Sequence, residues 1–187
     1  MRHNETRDKL FKWAQRARLN PVLEKAGIFN ENDVICLRRP ADVLVDDPVT
    51  RIEKVALDIK VINSLGPGHI EATMHSSSAA ADAYRVQALE HQDTARRCLE
   101  RGIRYEPLVF TAQGGMQSRT ESLITQFATA IAKNESLEPG SVKADIIQDL
   151  SRGLARAAAR PVARRTRRME NDFCSARFRM EAETLEN

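Results

Sequence analysis

Cysteine is scarce in this chain of 187 residues. The three cysteines, Cys36, Cys98 and Cys174, lie far apart and form no Cys-x-x-Cys pair. That excludes a zinc site of the usual spacing. The odd count and the polar start Met1-Arg2-His3-Asn4-Glu5, which has no apolar h-region, predict reduced thiols and a soluble, intracellular setting. No apolar run approaches the roughly 20 residues needed to cross a bilayer. There is no internal repeat. Ser76-Ser77-Ser78 has neither a nearby base nor a nucleophile elbow, which argues against a hydrolase triad. Gly66-Pro67-Gly68 is too short, and too broken by proline, to cradle a phosphate. Net charge is small, +3, and says little about partners. Its distribution says more, because the basic residues gather toward the C-terminus.

The length favours one domain with an appendage. Leu10, Trp13, Ala14 and Ala17 recur at helical spacing and predict a helix over about 4–19, with Pro21 ending it or opening a short second turn. Three apolar runs follow, Val34 to Leu37, Ala41 to Val45 and Lys54 to Ile62, with the turn signal Asp46-Asp47-Pro48 between the last two. They predict an antiparallel meander. A long helix from Ala79 to Arg101 should end at Gly102. A strand from Ile103 to Thr111 follows, and Pro107 marks it as an edge or a bulge. Thr120 to Lys133 carries the strongest helical stripe, through Leu123, Ile124, Phe127, Ala128, Ile131 and Ala132. This order predicts an α/β fold in which helices flank a mixed sheet. The division expected is a body over 1–135, a linker over 136–140 and a helical, arginine-rich extension over 141–187.

The chemistry concentrates in two stretches, Arg39-Pro40-Ala41-Asp42 and Val55-Ala56-Leu57-Asp58-Ile59-Lys60-Val61. Alternation in a strand sends Val55, Leu57, Ile59 and Val61 to one face, and Ala56, Asp58, Lys60 and Ile62 to the other. A carboxylate and an ammonium inside so aliphatic a strand are costly unless paired or bound. On adjacent strands, Asp42 and Asp58 would meet across the pair. Two such acids repel unless a cation separates them, and Mg²⁺ or Mn²⁺ suits an all-oxygen site. Lys60 would then reach a phosphate oxygen or the attacking water. These are parts for hydrolysing a phosphodiester.

Pro-x-Asp, a turn, then Asp-x-Lys in an apolar strand resembles the PD-(D/E)xK nuclease superfamily, whose restriction-endonuclease-like core runs helix, three strands, helix, strand. The likeness is nearest to endonuclease-like domains of mobile elements that carry a reverse transcriptase. It rests also on Arg39-Pro40-Ala41-Asp42-Val43-Leu44, on Gly102-Ile103-Arg104-Tyr105-Glu106-Pro107-Leu108-Val109 before Gly114-Gly115, and on the start Arg2-His3-Asn4-Glu5-Thr6-Arg7-Asp8. It covers about 2–135. The resemblance implies a restriction-endonuclease-like fold, Asp42 and Asp58 as metal ligands, a catalytic Lys60, and a role in cleaving the target of a mobile element. This chain departs in having Pro-Ala-Asp for Pro-Asp. Glu5 is the candidate for the helical glutamate that some members add to the metal.

Gln113, at the strand end before Gly114-Gly115, is a turn residue or a neighbour of the site. His3, His69, His75 and His91 are scattered. In the extension, Arg152, Arg156 and Arg160 fall on one helix face, and Arg164, Arg165, Arg167 and Arg168 continue the charge. Such a strip suits successive phosphates, DNA rather than RNA on the nuclease reading. It equally suits a solvated helix with Asp145 and Asp149 as partners, and the cluster also fits a nuclear address. The alternative function is a catalytically inactive nucleic-acid-binding or assembly module. In that reading the acids and lysine form an ion-pair network, and Val142, Ile146, Leu150 and Leu154 offer a homodimer surface.

Overall fold

A computed structural model describes residues 2–24, 28, 41–65, 70–76 and 78–185. Helix α1 (Arg2–Arg16) leads to strands β1 (Val22–Leu23), β2 (Val43–Asp46) and β3 (Lys54–Ile62). Helices α2 (Ile70–His75), α3 (Ala79–Glu90) and α4 (Thr94–Leu99) then cross to strand β4 (Ile103–Thr111). Helices α5 (Ser118–Glu135) and α6 (Pro139–Leu185) complete the chain. The sheet order is β1-β2-β3-β4, antiparallel through β3, with β4 parallel to β3. The fold is therefore α/β with an open, mixed, four-stranded sheet. Pro107 sits in the outermost strand, where a missing N–H is tolerated.

The alternation read in β3 sorts the molecule into layers. Val55, Leu57 and Ile59, with Val43, Val45, Leu108 and Phe110, pack against Leu10 and Ala14 of α1, Leu123, Phe127 and Ile131 of α5, and Val142 and Ile146 of α6. The opposite face holds two smaller clusters. Ala56, Leu44 and Tyr105 lie with Cys98 of α4, and Ile62 and Val109 with Ala80 and Ala81 of α3. Small residues on that face leave room for polar side chains between the sheet and α3.

Four expectations need correction or relocation. The run Val34 to Leu37 lies outside the described residues, and the place beside β2 belongs to Val22–Leu23. Pro21 opens no helical turn: Val22 and Leu23 pair with β2, and the Glu24 N–H bonds Asp42 O at 2.9 Å, extending the strand pairing. The helix expected over 79–101 is broken. A 3₁₀ turn spans His91–Asp93, and Asp93 takes a left-handed φ of 54°, a conformation aspartate tolerates. Ser78 precedes α3 without making a side-chain cap.

The fourth correction concerns the extension. Leu137 and Glu138 form a tight connection rather than a linker. Helix α6 begins at Pro139, a favoured first position, and Glu138 Oε2 accepts the Ser141 N–H at 2.6 Å. The helix packs on α5 and α1, burying Val142, Ile146, Leu150 and Leu154 in the same core as the sheet. Asp149 accepts from Trp13 Nε1 at 3.1 Å and pairs with Lys9. The apolar stripe is thus spent inside the chain and offers no free homodimer surface, and the body extends through at least Ala157. Among the described residues, no helix is long and apolar enough to cross a membrane.

Candidate active site

Asp42 ends up against β3 because its backbone and its side chain both bond that strand. Its N–H donates to Leu57 O at 2.9 Å, and its Oδ2 accepts the Ile59 N–H at 2.7 Å. The register pairs Val43 with Leu57. One residue further along, Asp42 lies opposite Asp58, on the α3 side of the sheet. Each acid side chain is only 17% exposed. Lys60, two residues on from Asp58 along the same face, sets its Nζ 3.1 Å from Asp58 Oδ1. The expected trio is thus brought together.

Two further residues complete it. The Tyr105 hydroxyl, from β4, donates to Asp58 Oδ2 at 2.6 Å. His3 Nε2–H, from the first turn of α1, donates to Asp42 Oδ2 at 2.8 Å. The sequence offers His3 as one of four scattered histidines and does not mark Tyr105, although Tyr105 alternates with Pro107 and Val109 on the inward face of β4. His3 carries no local signal, because its link to Asp42 spans 39 residues.

The electrostatics follow from burial. Desolvation pushes the Asp58 carboxyl above its ordinary value and Asp42's charge adds to the push, while Tyr105 and Lys60 oppose it. Burial would lower Lys60, but the Asp58 charge and hydrogen bond, with Tyr84 and Asp42 behind them, hold it above the ordinary lysine value. Lys60 is therefore a fixed cation at neutral pH. Burial, then Asp58, raises the Tyr105 phenol, which stays a neutral donor.

Two shielded carboxylates against one ammonium leave negative charge on this face of the sheet, and such a donor set fits a hard divalent cation. Among the described residues no group of three or more His, Cys, Asp or Glu side chains is placed to hold an ion. Asp42 and Asp58 would thus be a sparse protein set, suited to an ion that keeps waters and takes phosphate oxygens.

The remaining candidates fall elsewhere. Glu5 sits roughly 200° round α1 from His3, with Oε2 3.4 Å from Arg160 Nη1 of α6. It faces away from the acids, against expectation for an added metal ligand. Gln113 ties the ends of β3 and β4, accepting from Ser64 Oγ at 2.7 Å and donating to Asn63 Oδ1 at 3.0 Å. His69 lies outside the described residues. Arg152, Arg156, Arg160 and Arg165 are exposed on α6, and the side chains of Arg164, Arg167 and Arg168 lie outside the described ones.

No protein-family model matches the chain, and no curated protein matches it either.

Proposed function

We propose that this protein is a metal-dependent endonuclease of restriction-endonuclease-like fold, hydrolysing phosphodiester bonds in DNA. The convergence of Asp42, Asp58 and Lys60 on one face carries this reading. Asp42 and Asp58 would hold Mg²⁺ or Mn²⁺, which supplies charge neutralisation and an acidified water when bound. Lys60, fixed as a cation, stabilises the charge that develops on the phosphate oxygens. Tyr105 and His3 act through the acids, orienting Asp58 and Asp42 by donated hydrogen bonds. The first turn of α1 joins the acids, through His3, to the arginine strip of α6, through Glu5 and Arg160. That strip gives the flanking DNA a cationic track. The resemblance to nuclease domains of mobile elements supports a target-nicking role.

The test is plasmid nicking by the full chain. Nicking with Mn²⁺ or Mg²⁺ that EDTA stops and Asp58→Ala abolishes supports the reading. Nicking that survives Asp58→Ala in a folded protein removes it. A second reading is favoured by one observation: Lys60 and Tyr105 already pair with Asp58. A closed network of that kind suits an inactive nucleic-acid-binding module, and folded protein that binds DNA without nicking it would establish that reading instead.

A further inference from the structure

Beside the acids the sheet and α3 enclose a cavity of about 340 Å³, lined by Asp58, Lys60, Tyr84, Gln87, His91 and Tyr105. That volume lies at the small end of ligand cavities, about 300–1,000 Å³. Tyr84 and Gln87 fall at i and i+3 on α3, and His91 follows in the 3₁₀ turn, so that all three meet the same cavity. Ala88 between them is buried and small, which keeps the floor open. The Tyr84 ring packs on Ile62, Ala80, Ala81 and Val109 and is held in place. Its hydroxyl end is near enough to Lys60 for the two to interact electrostatically. Among the described residues neither the Tyr84 hydroxyl nor the Gln87 amide makes a hydrogen bond. The next residue shows the contrast. Arg85 turns to buried Glu106 at 2.9 Å, and Arg119 of α5 meets the same acid at 3.3 Å, a purely structural clamp.

We propose that this cavity takes one nucleobase, from the nucleotide next to the cut phosphate, swung out of the stack. The proposal rests on the nuclease reading and adds a substrate class to it: strands with an unpaired nucleotide beside the scissile bond, preferred over intact duplex. The reasoning is one of dimensions and chemistry. Lys60 and Asp58 occupy the same cavity wall, so a phosphate at Lys60 leaves its attached nucleoside within reach of α3. Tyr84 offers an anchored aromatic face, on which any base can stack. Gln87 offers a donor and an acceptor on one amide, the pair that reads a base edge. A base already unpaired enters at the least unstacking cost.

The experiment compares binding by the full chain to two labelled duplexes of equal length in EDTA, one fully paired and one carrying a single unpaired adenine. Preference for the second by roughly five-fold or more is expected from the strength of a base–aromatic stack. Tyr84→Ala should erase the preference and Tyr84→Phe should retain it. Gln87→Ala, at an exposed position that folding does not need, should lower it. Equal affinity for the two duplexes, whether tight or undetectable, overturns the proposal. So does a preference that survives in folded Tyr84→Ala, or one that is undiminished in Gln87→Ala where Tyr84→Ala does not fold. Because no cleavage is needed, the two readings fail separately. Preference without metal-dependent nicking sinks the nuclease reading alone, and nicking without preference sinks the subsite alone.

Discussion

Asp47, just past β2, and Asp58, within β3, are shielded acids on opposite faces of one sheet. Asp47 lies on the face sealed by α1, α5 and α6. There its Oδ1 accepts the Val49 and Thr50 N–H groups at 2.9 and 2.7 Å, and its Oδ2 accepts from Arg104 at 2.6 Å. Burial pushes its carboxyl up, but these donors outweigh burial and hold it below its ordinary value. Asp58 has only a phenol and a lysine beside it, with a second acid nearby, and burial wins. The sealed face uses its acid to fix a turn. The α3 face keeps an acid whose charge is incompletely answered, and beside it a cavity. On the proposed reading, one side of the sheet serves stability and the other chemistry.

The largest effect should come from the sealed face. Phe110→Ala removes a fully buried ring and should cost about 3–5 kcal/mol in urea unfolding. A cost under about 1 kcal/mol would end the claim that this face carries the fold. Next, Asp58→Asn should cut metal-dependent nicking by on the order of 10²–10³. It should raise the melting temperature at pH 7, because a carboxyl raised on folding contributes stability below its unfolded pKa and loses it as pH rises through the folded value. At pH 3 the two proteins should melt alike.

Asp47→Ala should behave in the opposite sense. It should destabilise by about 1–3 kcal/mol at neutral pH, since it leaves the Val49 and Thr50 donors unmet. The wild type holds this contribution above the unfolded value, near 4, and loses it as pH falls further. Urea titrations from pH 7 to pH 3 should therefore converge for wild type and variant. Parallel curves for the Asp47 and Asp58 variants would erase the contrast between the faces. Tyr105→Phe removes one opposing hydrogen bond and should move the acid limb of the nicking profile to higher pH, at a cost of about 0.5–1.5 kcal/mol. The smallest change in stability should come from Arg156→Ala with Arg165→Ala, which should leave unfolding unmoved. Their effect should be to flatten the salt dependence of DNA binding by about 0.9 in log–log slope for each phosphate no longer neutralised.

The sequence made the β3 pattern readable because period two and period 3.6 leave different marks, and β3 shows the first without interruption. That pattern marks Asp58 and Lys60 as charges inside an aliphatic strand, and the turn that precedes β2 marks Asp42. Helix α5 was equally plain. What stayed hidden depends on distance along the chain. A two-residue strand such as Val22–Leu23 has no period to detect. Tyr105 looked like any strand aromatic until pairing set it beside Asp58. Nothing local in the sequence marks Tyr84, and only the packing of α3 and the turn after it brings Tyr84, Gln87 and His91 around a cavity. The α6 stripe was seen correctly, but amphipathic spacing gives no address for its partner.

Besides α5, that stripe meets the start of the chain, and the consequence is one of timing. Lys9 and Asp149 meet across 140 positions of sequence. A chain emerging from the ribosome has its sheet in hand by Thr111, yet the apolar layer beneath stays partly uncovered until Leu154 is free. Contacts of such long range are slow to form. Stalled or clipped products ending before that point should present a greasy sheet face to chaperones and to one another, however complete the opposite, α3 face.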